Sequence, residues 1–178
     1  PQDIREVRKA VQLPIIGIYK ADIPGYAVRI TPTIEHARLV AEAGAEIIAM
    51  DATQRPHPDG LDLNERIRAI HQETGCLVMG DVATHEEGQA AEDAGADLVA
   101  STLSGYTDYS TTQTGPDLAL IEKLAKAINL PIVAEGRYAT PEQAARAVDL
   151  GAFAVVIGTA ITRPHWITAQ FVNRLKLR

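Results

Sequence analysis

The chain has 178 residues, 46% of them hydrophobic, which is enough for one domain with a substantial core. Its net charge of −6 speaks against a general nucleic-acid surface, while leaving room for a small anion held by a few local arginines. A single cysteine, Cys76, excludes an internal disulfide framework. No apolar run reaches the roughly 18 residues of a membrane span, and no signal peptide is evident, so a cytoplasmic protein without membrane contact is expected.

The first residues, PQDIREVRKAV, read as a helix. LPIIGIYK (13–20) then reads as a buried strand, and TPT at 31–33 offers threonine and proline ahead of the helical IEHARLVAEAG. From there one unit recurs: AEAGAEIIAM (41–50), AEDAGADLVA (91–100) and VDLGAFAVVI (148–157) each hold a helix end, a Gly-Ala pair and a short apolar strand. Gly44, Gly95 and Gly151 fit the position just past a helix, where positive φ suits glycine. Two further strands are expected in GCLVMGD (75–81), beside which Cys76 reads as a small core residue, and LPIVAEGR (130–137). THEE (84–87) and TPEQ (140–143) read as capping boxes opening the helices that follow.

Near-continuous apolar strands alternating with amphipathic helices imply a parallel sheet covered by helices. No G-x-G-x-x-G follows any strand, which weakens a dinucleotide-binding fold. The uniform repeat favours an α/β fold of the (β/α)8 TIM-barrel type. Such barrels usually need about 250 residues, and only six strand–helix units are visible here after an opening helix. The expectation is therefore one domain over residues 1–178, a barrel whose N-terminal βα units, about two of the usual eight, are absent.

The strand ends are polar: Lys20, Asp51, Asp81, Ser101–Thr102, Glu135 and Gly158–Thr159. In a barrel these positions share the rim where active sites lie. Lys20, Asp81 and Glu135 fall on the first, third and fifth visible strands, so they are expected in one interior layer, with Lys20 and Glu135 across the mouth from each other. That placement suits acid–base chemistry on two faces of one carbon. Asp51 could touch substrate or hold Thr53, Arg55 or their loop. His36, His57, His71 and His85 read as surface or packing residues, and no pair has metal-ligand spacing. Trp166 and Phe171 are expected to pack the last helix or a subunit contact. EGRYATPE and IGTAITRP place glycines and backbone N–H groups where barrels bind phosphate, with Arg137 and Arg163 as candidate charge-assisted donors.

Taken together, LPIIGIYK, ITPT, MDATQRPHPDG, GDVATHEEG, STLSGYTDYS, PIVAEGRYATPEQ and GTAITRPHWIT resemble the N-acetylmannosamine-6-phosphate 2-epimerases across essentially the whole chain. The resemblance implies a phosphate-binding TIM barrel, a cofactor-free and metal-free isomerase of sialic acid breakdown, and a homodimer. It places the catalytic lysine and glutamate on Lys20 and Glu135 and a substrate-contacting aspartate on Asp81. The same resemblance puts substrate-binding roles on Tyr106, Arg137 and Arg163. Gly136, Gly158 and Thr159 join them as backbone contacts for a phosphorylated amino sugar. Other readings stay open: another sugar-phosphate isomerase of the same barrel type, a Schiff-base aldolase using Lys20, or a barrel that binds sugar phosphates without turnover.

Overall fold

The structure is a computed structural model, and it describes residues 1–110 and 112–176. Helix α1 (Gln2–Ala10) leads into β1 (Ile16–Gly17), α2 (Ile34–Glu42), β2 (Ile47–Asp51), α3 (Leu63–Thr74) and β3 (Leu77–Asp81). The alternation continues through α4 (His85–Asp93), β4 (Leu98–Ala100), α5 (Leu118–Ala127), β5 (Ile132–Glu135), α6 (Pro141–Asp149) and β6 (Ala154–Val156). A short α7 (Thr159–Thr162) and α8 (Pro164–Lys176) follow. Among the described residues no helix is long and apolar enough to cross a membrane.

All six strands are parallel and stand in chain order, β1 to β6. Right-handed crossovers stepping always in one direction put every connecting helix on the same face. This is barrel-type winding; a doubly wound sheet would reverse its strand order. Two apolar layers result. Ile48, Met50, Val78, Val99, Ile132 and Ala134 pack outward beneath the helices, against residues such as Ile67, Ile121 and Leu124. Ala49, Met79, Leu98, Ala100 and Val133 alternate with them and form a smaller cluster on the inner face.

The helices begin where local chemistry starts them. Thr84 and Thr140 each accept the N–H of the residue three further on, Glu87 and Gln143, whose side chains cap back, so both expected capping boxes are present. Asp62 and Glu65 form a third on α3. Gly44, Gly95 and Gly151 all have positive φ, near 101°, 91° and 109°, as their places after helices require. Strand β1 is shorter than the expected 13–20: only Ile16 and Gly17 pair with β2. Beyond them the chain makes an excursion closed at its base by the Lys20–Ile30 antiparallel bridge. Thr31, held at φ 43°, pins that base, its hydroxyl donating to Ala49 O at 2.6 Å.

Candidate active site

The inner face of the sheet turns from apolar to charged at its C-terminal end because the same alternation continues past the cores of the strands. On β2, Ile47 and Ala49 are followed by Asp51; on β3, Met79 by Asp81; on β5, Val133 by Glu135. Asp51 and Asp81 are direct cross-strand partners. Asp81 pairs with Ala100, and Ala100 with Val133, so Glu135 stands two residues above that level. The single layer expected for Lys20, Asp81 and Glu135 is thus stepped, as strand stagger demands.

A cavity of about 800 Å3 opens above these ends, a size that suits a small ligand. Lys20, Glu135, Gly136, Arg137, Gly158 and Thr159 all contribute to its wall, as does Tyr106. Asp81 lies just behind, almost fully buried, and accepts the Thr102 hydroxyl at 2.9 Å. Arg163 is placed differently: it caps the exposed end of α7 and is not part of the wall.

Three carboxyls so close cannot all be ordinary. Asp51 is fully buried but neutralised, by Arg55 Nη2 at 2.6 Å and by the Thr53 N–H and hydroxyl at 3.0 and 2.6 Å. It therefore holds the loop after β2, the second of the roles open to it. Burial pushes Asp81 well above the usual carboxylate range; the charges of Glu135 and Asp51 push the same way, against Thr102 and Lys20. Burial raises Glu135 too, and Thr102 and Lys20 oppose it. The site thus pairs a lysine with two carboxyl groups that hold protons more tightly than free ones.

Arg137, besides lining the cavity, is bonded within the protein. Its guanidinium donates from Nε to Gly115 O at 2.8 Å and from Nη1 to Ser104 O at 2.7 Å, and it lies over the Tyr106 ring, 5.3 Å from the centroid. Gly136 at φ 111° and Arg137 at φ 61° turn the chain sharply off the strand to allow this. Arg137 thereby straps the loop after β4 to the end of β5.

Two residues that the sequence marked only as a polar strand end have definite places at the site. Ser101 Oγ accepts the Glu135 N–H at 3.0 Å and donates to Glu135 O at 2.8 Å, clamping the end of β5. Thr102 touches Asp81 and lines the cavity. Both lie in a strand end that looked polar, but only the register reveals what they face.

A lysine and a glutamate meeting one cavity at the C-terminal rim of a parallel β/α sheet, with a buried carboxyl behind them, are the kind of set that acid–base enzymes acting on small molecules use. The family described as "Putative N-acetylmannosamine-6-phosphate epimerase" matches residues 2–177. A protein of Caldanaerobacter subterraneus subsp. tengcongensis, named as a 2-epimerase of the same kind, is 51% identical over 178 residues, covering 99% of this chain and 75% of its own. One from Clostridium perfringens strain 13 is 44% identical over 174 residues, covering 98% and 78%. The solved N-acetylmannosamine-6-phosphate 2-epimerase from Clostridium perfringens superposes with a TM-score of 0.91 at 43% identity, over 96% of this chain and 74% of that one. FabK from Thermotoga maritima, at 24% identity and TM-score 0.61, shares the fold alone. The chain belongs to the N-acetylmannosamine-6-phosphate epimerase family.

Proposed function

We propose that the chain interconverts N-acetylmannosamine 6-phosphate and N-acetylglucosamine 6-phosphate by removing and replacing the proton at C2, in sialic acid and amino-sugar catabolism. The observation that carries this reading is the meeting of Lys20 and Glu135 on one cavity wall. In the ring form the C2 hydrogen is not acidic; opening to the aldehyde makes it so through an enolate-like intermediate. Lys20 takes the proton on one face and Glu135, its carboxyl raised by burial, returns one on the other. Asp81 orients the lysine or a sugar hydroxyl. Backbone N–H groups at Gly136–Arg137 and Gly158–Thr159 receive the phosphate, with the exposed Arg163 swinging in to add charge. This remote anchoring fixes the reacting carbon between the two groups.

We read the sheet as six strands of a (β/α)8 barrel. The exposed Ile16 and Ile18 at one edge and the half-exposed Val156 at the other support this reading, since they leave both edges of the sheet uncovered. A homodimer belongs to the same proposal, supported by the exposed Phe171, Val172 and Leu175 on α8, as does a cytoplasmic setting. The test is conversion of N-acetylmannosamine 6-phosphate by the purified protein, followed by proton NMR. Appearance of the gluco epimer, lost in Lys20→Ala and Glu135→Gln, is expected; turnover surviving both substitutions overturns the assignment.

A further inference from the structure

Arg55 belongs to the strand end next to Lys20. The excursion after β1 closes where Lys20 bridges Ile30, and Ile30 O accepts the Asp51 N–H at 3.0 Å. Lys20 and Asp51 therefore flank one extended segment, two strand spacings or about 10 Å apart at the backbone. Past Asp51 the chain folds back, so that Arg55 Nη2 donates to Asp51 Oδ2 at 2.6 Å and Nε to Thr53 Oγ1 at 2.9 Å. Asp51 keeps no exposed surface, whereas the Arg55 side chain keeps 15% and lines the cavity, as Lys20 does. Arg55 Nη1 has no acceptor among the described residues.

Holding the loop after β2 accounts for only part of this arrangement. A carboxylate buried under a guanidinium adds little stability, because desolvation offsets the attraction. What the pair does secure is a cation fixed at the cavity wall. The other arginines of that wall are engaged elsewhere: Arg29 pairs with Asp22 on the excursion, and Arg137 straps the loop after β4. Strand β2 is also three strands from β5, where the phosphate site begins, so Arg55 sides with Lys20 at the reacting end of the sugar.

We propose that Arg55 is a further catalytic residue, its Nη1 donating a hydrogen bond to the C1 oxygen as negative charge develops there; the proposal rests on the epimerase reading above. Lys20 takes the C2 proton, the electron pair of the broken C–H bond moves into the C1–C2 bond, and the carbonyl pair moves onto the C1 oxygen. Return of a proton to C2 reverses that flow. Arg55 gives up no proton at any stage, so atoms and charge balance without a co-reactant. C1 is bonded to C2, which puts its oxygen between two long side chains from neighbouring strand ends. A donor fixed before the reaction stabilises such an oxyanion without reorganising, and the bond to Asp51 does the fixing.

The test compares wild type and Arg55→Met on two unreactive analogues of the open-chain substrate. One is the C1 alcohol, 2-acetamido-2-deoxyglucitol 6-phosphate; the other is the C1 acid, 2-acetamido-2-deoxygluconate 6-phosphate, whose carboxylate carries the charge of the intermediate. By calorimetry, affinity for the acid should fall at least about tenfold in Arg55→Met while affinity for the alcohol holds. The kcat for loss of the C2 hydrogen from N-acetylmannosamine 6-phosphate in D2O should fall about a hundredfold, with KM little changed. Should Arg55→Met not fold, the double variant Asp51→Asn, Arg55→Met, which leaves no unpaired buried carboxylate, takes its place with the same readouts. Equal losses of affinity for both analogues, as an arginine that only holds the loop would give, overturn the proposal; so does undiminished affinity for the acid. A wild-type protein that neither exchanges nor epimerises overturns the epimerase reading itself, and this role of Arg55 with it.

Discussion

Replacing Arg137 with methionine keeps much of the side-chain length but removes both hydrogen bonds that strap the loop after β4. Each runs from a charged donor to a backbone carbonyl, at 2.8 Å to Gly115 and 2.7 Å to Ser104, a buried residue. Such bonds contribute about 1.5–3 kcal/mol each. Arg137 is only half-buried, so the low end applies, about 3 kcal/mol for the pair, with a small further loss from the contact over Tyr106. The loss falls on local opening of the loop, because both acceptors, Ser104 and Gly115, lie in it. At 1.4 kcal/mol per factor of ten, amide hydrogen exchange at Leu103 to Ser110 should speed up by about two orders of magnitude in the ligand-free protein. Exchange in α3 and β3 should stay unchanged. Were the guanidinium instead a phosphate anchor with no strapping role, ligand-free exchange would match wild type and only KM would rise. That result would refute the strap.

Asp81→Asn should raise the melting temperature at pH 8 while lowering epimerase activity. The sign follows from a carboxyl raised in the folded state: its stabilisation is full below the unfolded value of about 3.9 and is lost as pH rises through the folded value, so the gain over wild type shrinks toward pH 4. A gain that is absent or equal at both pH values contradicts this. Gly17→Ala should destabilise by about 1–3 kcal/mol in denaturant titration, since its Cβ would meet Val40 Cγ1 at 2.6 Å and Ala45 Cβ at 2.7 Å; a neutral outcome would show that β1 shifts freely. His57 is buried, with Nδ1 3.4 Å from Pro32 O, and burial, aided by Arg66, pushes its pKa down. Its contribution is present above the unfolded value of about 6.5 and lost as pH falls through the lower folded one, so wild-type stability should drop below pH ~6.5 more steeply than that of His57→Gln. Parallel curves would contradict the assignment.

Local signals were legible in the sequence, and long-range ones less so. Thr84, Thr140 and the glycines after helices act within four residues, so their patterns predict the structure directly. The Asp62–Glu65 box carried the same signal in DLNE, without being singled out. Strand ends marked Lys20, Asp81 and Glu135, since a polar residue ending an apolar run is visible in one dimension. Which layer each occupies depends on register, and register depends on neighbouring strands. Hence the step between Asp81 and Glu135, and the bond from Thr102 to Asp81, became visible only in three dimensions. Arg137 shows the same limit: a cation beside a glycine announces a donor, but not that Gly115 and Ser104 have claimed it. His57 reads as a loop residue and turns out buried because the loop folds over α3, where Arg66 also lies.

Proton exchange at C2, driven by Lys20 and Glu135 from opposite sides, is the central claim. Its most direct test is incubation of wild-type protein with N-acetylmannosamine 6-phosphate in D2O, with the product isolated and its C2 position read by NMR. Gluco epimer carrying deuterium at C2 is the predicted result. Epimer that retains its original C2 hydrogen throughout, with no solvent deuterium entering, would contradict exchange at two separate groups and the site drawn from them.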